Sequence, residues 1–284
     1  MAVKEQESDR FLQEFHDDIH RKNQGKVKIF LGYAEGTGKT YAMLQAAHQA
    51  KEHGVDVVAG YIEAHNSSQT EALLEGIEQI KPKQVSFGDK TGFEFDIDAA
   101  LKRRPGLILL DEYAHTNIGN SRHFKRYQDV QELLNAGINV YTTVNIQHIE
   151  SLNDVVAAIT GVLVKERIPD SVFDKADQVE LVDIEPIELL ERMSRKTVSS
   201  DNRNNNEFFT LEKLTALREI ALRRCADRVN LLTENARLQS KSDYHTDEHI
   251  LVCLSASPSN AKIIRTAARM AQAFHGAFTA LFVE

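Results

Sequence analysis

Gly36, Gly38, Lys39 and Thr40 close the run Val27-Lys-Ile-Phe-Leu-Gly-Tyr-Ala-Glu-Gly-Thr-Gly-Lys-Thr40, in which a short apolar strand feeds a glycine-rich turn. Glycines at 36 and 38 open backbone conformations closed to other residues, so successive N–H groups around Thr37 can turn inward about an anion. Lys39 would reach the β- and γ-phosphates of a nucleotide, and the Thr40 hydroxyl would hold magnesium. The next segment, Tyr41–His53, is rich in Ala, Leu, Met and Gln. A helix starting there would aim its positive dipole end at the phosphates. The strict P-loop pattern wants glycine five residues before Gly38, where this chain has Tyr33, and Gly32 lies one residue too early. The loop is therefore a variant. A chance Gly-Lys-Thr in a strand-to-helix turn is the alternative, and the flanking strand and helix argue against it.

A phosphate-binding loop of this kind needs a metal-orienting carboxylate. Gly106-Leu-Ile-Leu-Leu-Asp-Glu112 is a continuous apolar run ending in two acids, which reads as a buried parallel strand carrying Asp111 to the carboxyl edge of a sheet. Asp111 would share the magnesium with Thr40, and Glu112 would polarise an attacking water if hydrolysis occurs. Taken alone, the same run could end in two solvated acids.

The elements that must position these residues alternate. Val55–Glu63 reads as a strand, Gln69–Ile80 as a helix, Gln84–Gly88 as a short strand and Asp96–Arg104 as a helix. After the Asp111 strand come a helix over Ser121–Asn135, a strand over Ile138–Val144 and a helix over Gln147–Thr160, the helices closed by Gly137 and Gly161. Val162–Val164 and Val179–Ile184 are further strand candidates, and Pro186 opens another helix. Strands alternating with helices predict an α/β fold, a P-loop NTPase-like parallel sheet with helices on both faces.

Composition bounds the rest. The chain has 284 residues, 42% hydrophobic and 27% charged, enough for one or two domains with a real core. A net charge of −8 gives no general surface for nucleic acid or anionic membrane. Cys225 and Cys253 are the only cysteines, without metal-ligand spacing or a disulfide framework. Met1–Gln24 is polar throughout, no run approaches a membrane span, and a cytoplasmic location is expected.

The polar stretch Thr197–Asn206 reads as an exposed loop ahead of a long helix, Phe208–Gln239, which contains neither Gly nor Pro. Its apolar stripe, from Leu211 and Leu214 to Leu232, suits a packing helix, with coiled-coil dimerisation as the alternative. The charged run Lys241–Glu248 breaks the pattern. A strand over His249–Leu254, a helix over Ser259–Phe274 and a strand over Ala277–Val283 then form one βαβ element. Such an element cannot bury its own faces, so it either adds to the first domain or opens something longer.

Seven segments in order carry a resemblance. They are Gly32–Leu44, Gly60–His65, Leu110–Asn117, Arg122–Val130, Thr142–Leu152, Val164–Asp170 and Leu214–Arg223. Together they resemble the cytoplasmic N-terminal domain of the KdpD family of potassium sensor histidine kinases, from about Gly25 onward. The resemblance implies an α/β domain that binds ATP with Mg2+ in a regulatory role, followed by a universal stress protein domain, membrane helices and a kinase core that works with a response regulator. This stretch holds only the first domain and the opening of the second, so it could not autophosphorylate by itself. The implied organisation is a polar extension over 1–24, a P-loop sensor domain over 25–206, a connecting helix over 207–246 and the start of a stress-protein-like unit over 247–284.

In several Gram-positive members that second domain resembles a cyclic di-AMP receptor marked by SxS, a spacer and FTAxY. Here Ser255-Ala-Ser257 is followed by Phe278-Thr-Ala-Leu-Phe282, with Phe in place of the final Tyr. Ser255 and Ser257 would hold a phosphodiester where strand meets helix. Phe278, Thr279, Ala280 and Phe282 would offer apolar surface and a stacking ring for adenine. An ordinary strand with a serine-capped helix is the alternative.

His65, His115, His123 and His148 have no close ligand spacing and are read as loop or helix-surface residues near the nucleotide. Asn117, Arg122 and Arg126 could contact phosphate or simply form a charged helix face. The guanine-reading NKxD is missing, which favours adenine. Three functions stay open: a nucleotide-binding sensor region, a P-loop ATPase with turnover, and a stand-alone cyclic di-AMP receptor.

Overall fold

Leu107–Leu110, β6, is buried at every position because both faces of its sheet are covered by helices. The computed structural model describes residues 24–63, 68–87, 90–197, 210–240, 250–255, 260–273 and 278–282. Among them, six strands form one sheet: β1 (Val27–Gly32), β2 (Val57–Tyr61), β3 (Glu78–Gln79), β6, β7 (Asn139–Asn145) and β8 (Gln178–Leu181). Their order is β3-β2-β6-β7-β1-β8, and every pairing is parallel.

The two-residue period of β1 divides the core. Ile29 and Leu31 face a cluster with Ile108, Leu110, Val140 and residues of helices α3 (Ile97–Arg103) and α4 (Arg126–Asn135). Phe30 faces the other way, into a cluster with Val57, Ala59, Leu109 and the Met43, Leu44 and Ala47 side chains of helix α1 (Lys39–Glu52). Each fully buried Leu, Ile or Phe contributes roughly 1.5–3 kcal/mol relative to exposure. The α/β architecture with a parallel sheet covered on both faces is therefore as expected.

Several element boundaries differ, each for a local reason. The helix expected over Gln69–Ile80 is α2 (Ser68–Leu74); Gly76, at φ 79°, turns the chain so that β3 can pair with β2. The Gln84–Gly88 strand is β4 (Lys83–Phe87), and it leaves the main sheet to form an antiparallel hairpin with β5 (Lys90–Glu94). The helix expected from Ser121 begins at Arg126. Asn117 N donates to Phe124 O and Arg126 N to His115 O, holding the preceding segment as a loop. Likewise, Ile149 bridges Ile168, so the helix expected over Gln147–Thr160 starts only at Asn153 as α5 (Asn153–Thr160). Val162–Val164 is not a strand: after the left-handed cap at Gly161, Val164 O is taken by Asn153 Nδ2. A short helix, α6 (Asp170–Asp174), precedes β8, and α7 (Pro186–Thr197) follows it.

The chain divides into two units, Met1–Arg228 and Val229–Glu284. The long helix α8 (Leu211–Ser240) runs from one into the other. In the second unit β9 (Ile250–Leu254) pairs in parallel with β10 (Phe278–Phe282), and α9 (Asn260–Ala273) connects them. The polar extension 1–23, most of the Thr197–Asn206 stretch and the Lys241–Glu248 run lie outside the described residues. No helix among the described residues is long and apolar enough to cross a membrane.

Candidate functional site

The loop between β1 and α1 is shaped by its glycines. Gly36 (φ 80°) and Gly38 (φ 95°) both adopt left-handed backbone, and Gly38 caps the helix directly before Lys39. Gly32 does the work of the missing glycine. A methyl there would lie 2.4 Å from Thr37 Oγ1 and 2.8 Å from Lys39 Cδ, so the loop and the lysine stem fold back over it. The loop is thus one residue longer than the strict pattern. Tyr33 occupies the extra length as a buried anchor: it is 1% exposed and its hydroxyl donates to Ile184 O at 2.9 Å. Burial, followed by the Asp183 charge, pushes its pKa up to about 12.

Thr40 Oγ1 donates to Asp111 Oδ2 at 2.9 Å, joining the loop to the end of β6. β7 lies between β1 and β6, so this contact crosses two strand spacings, roughly 10 Å of sheet. Thr143 on β7 fills that gap, its hydroxyl donating to Asp111 Oδ1. Lys39 Nζ donates to Ala34 O at 3.3 Å. Desolvation lowers the Lys39 pKa, and Asp111, Glu35 and Glu112 oppose that shift.

Glu112 sits at φ 58°, a strained conformation for a residue with a side chain. Its N–H donates to Thr143 Oγ1 at 3.1 Å. Burial, then the neighbouring Glu63 carboxyl and Asp111, push its pKa up to about 8. Glu112 therefore holds its proton more tightly than an ordinary carboxyl. Behind this end of β6, Arg126 is fully buried, donating to Asp111 O at 3.0 Å and Glu94 Oε2 at 3.1 Å while stacking 4.3 Å over Tyr61. Neither reading of Arg126 from sequence was right, because it braces the strand end from inside. Arg122 pairs with Glu132 and Asp98, and Asn117 is buried against Asp129.

The loop and the end of β6 line a cavity of about 1290 Å³. Gly36, Thr37, Gly38, Lys39, Thr40, Asp111 and Glu112 all open onto it, as do His115 and His148. Burial lowers the His148 pKa, leaving a neutral ring that donates from Nδ1 to Glu166 O at 2.9 Å. His123 pairs instead with Glu132, and His65 lies outside the described residues. A polyphosphate with magnesium fits this donor set: backbone N–H groups at a helix start, one lysine, one hydroxyl and one buried carboxylate.

A family model described as KdpD, "Osmosensitive K+ channel His kinase sensor domain", matches residues 23–229. The chain belongs to this family. It is 54% identical over 279 residues to the sensor protein KdpD of Clostridium acetobutylicum, covering 96% of this chain and 31% of that protein. With the sensor protein KdpD of Escherichia coli it shares 44% identity over 267 residues, 92% of this chain and 30% of that protein. A Synechocystis relative bearing the same sensor name is 43% identical over 268 residues, 93% of this chain and 71% of the relative. The chain therefore spans about a third of the length of the first two relatives.

Within the KdpD sensor-domain match lie site residues that the sequence reading missed. Thr143 could have been suspected, since a buried strand with two threonines must give their hydroxyls partners. Glu63 and Arg192 carry no local signal and reach the cavity through the fold alone. In the second unit Ser255 is exposed directly after β9, and Phe282 pairs with Leu254, so the two share the carboxyl end of this short sheet. Phe278 pairs with Ile250 at the opposite end, four residues or roughly 13 Å along the strand. Thr279 and Ala280 lie between them, and Ser257 falls outside the described residues.

Proposed function

We propose that this chain is the nucleotide-sensing region of a potassium-responsive, two-component sensor histidine kinase, holding MgATP on its P-loop as a regulatory ligand. The contact that carries the reading is Thr40 to Asp111 at 2.9 Å, which unites a hydroxyl and a carboxylate suited to one magnesium beside Lys39. Magnesium would neutralise phosphate charge; the chain's own groups would orient it and exclude bulk water around Lys39. The kinase core and a response regulator would act downstream in the longer protein, controlling potassium uptake.

Holding fits the site better than turnover. Burial and the Glu63 carboxyl make Glu112 hold its proton more tightly, which lowers the fraction of this group able to take a proton from water. The second unit extends the proposal to cyclic di-AMP. Exposed Phe282 and Ser255 at one sheet end suit a base and a phosphodiester, and the missing Tyr hydroxyl removes one hydrogen bond, about 0.5–1.5 kcal/mol.

Calorimetry tests both ligands on the whole chain. MgATP is expected to bind the parent chain and to lose at least about a hundredfold in affinity with Lys39→Ala; equal affinity would refute the loop assignment. Cyclic di-AMP is expected to bind and to weaken with Ser257→Ala, and indifference to that change would refute the receptor assignment.

A further inference from the structure

Helix α7 crosses the P-loop. A methyl on Gly36 would lie 3.3 Å from Leu189 Cδ1, and one on Gly38 would lie 4.0 Å from Arg192 Nη1. Leu189 is completely buried in the same cluster as Tyr33 and Ala34, and the Tyr33 hydroxyl ties the start of this helix through Ile184 O. The Arg192 guanidinium is thus held beside the anion-binding turn by packing on its own helix, and it lines the cavity.

The charge around the cavity makes that arginine useful. Acidic side chains outnumber Lys39, Arg192 and Arg218 on its wall. Arg218 is committed, donating to both Asp183 oxygens at 2.8 and 2.6 Å and to Glu185 at 2.7 Å. Among the described residues Arg192 uses only Nη2, toward Glu188 Oε1 at 2.7 Å, in a pair whose side chains are 49% and 54% exposed. An exposed pair of this type exchanges easily, and a guanidinium fork suits phosphate oxygens better than a single carboxylate in water.

We propose that Arg192 is a further phosphate-binding residue, presented in cis by α7 to a polyphosphate seated on the loop and released by Glu188 when that ligand arrives. This rests on the reading of the loop as a nucleotide site. It adds a second cation to Lys39 within an acidic wall.

The test titrates MgATP and, separately, inorganic tripolyphosphate into the full chain and its Arg192→Gln, Arg192→Lys and Lys39→Ala forms. Arg192→Gln is expected to weaken both ligands about ten- to hundredfold. Arg192→Lys should recover part of that loss, because lysine keeps the charge and loses the fork. If the parent chain binds tripolyphosphate, Lys39→Ala abolishes it and Arg192→Gln does not change it, the Arg192 assignment alone falls. It falls equally if Arg192→Lys is no better than Arg192→Gln. If the parent chain binds neither ligand, the nucleotide site and the arginine fall together.

Discussion

Glu112 is held in a backbone conformation that few side chains adopt, beside two other carboxyl groups, Glu63 and Asp111. Its pKa is raised from 4.5 to about 8, so the folded protein holds the proton more tightly than the unfolded chain does. The resulting stability is fully present below about pH 4.5 and is lost as pH rises toward about 8. Glu112→Gln removes that dependence. Its melting temperature is expected to fall by several degrees less than the parent's between about pH 5 and about pH 8.5, each 1 kcal/mol corresponding to roughly 2–4 °C. Parallel melting curves would show that the carboxyl cluster does not hold the proton. Any ATP turnover should rise through the same range as Glu112 ionises, which a pH–rate profile reads directly. The adjacency of Asp111 and Glu112 was plain in the sequence. The approach of Glu63 was not, because it comes from a neighbouring strand's end, and no spacing within one segment encodes a contact across the sheet.

Strands β1 and β6 and helix α1 were legible because each is a largely apolar or helix-favouring run. Boundaries near residues 121 and 147 were not, since backbone partners distant in sequence, Ile168 for Ile149 among them, pull those residues out of helical geometry. The loop over 32–40 shows both effects. Gly-Lys-Thr pointed to a phosphate-binding loop, whereas Tyr33 looked like a defect until its hydroxyl met Ile184 O and its ring entered a core with Leu189, Leu214 and Leu217. Restoring glycine there should therefore harm the protein. Tyr33→Gly is expected to cost about 3–5 kcal/mol by leaving a cavity, and Tyr33→Phe only about 0.5–1.5 kcal/mol for the lost hydrogen bond. Chemical denaturation measures both, and a neutral Tyr33→Gly would mean the loop needs no anchor.

The lining of the cavity beside Lys39 ends at Arg218, within the first unit, while the strand residues expected to hold cyclic di-AMP lie in the second. Each ligand should thus have its own determinants, and Lys39→Ala is expected to leave cyclic di-AMP affinity within about twofold by calorimetry. Where the chain divides into units was not readable from residue types, since contacts decide it. Helix α8, 30 residues and roughly 45 Å long, begins against the loop. Leu214, Leu217 and Ala221 are buried in one cluster with Tyr33 and Ala34. A small core shared in this way opens as one body, so the breathing of the helix start and of the loop should be a single event. Saturating MgATP, at about a hundred times its dissociation constant, should then slow amide hydrogen exchange over Leu214–Ala221 by up to about a hundredfold, although no residue there except Arg218 reaches the cavity. Unchanged exchange in that stretch, with slowed exchange in α1, would mean the loop and helix open separately. In that event occupancy of the loop would stay silent to the helix that leaves it.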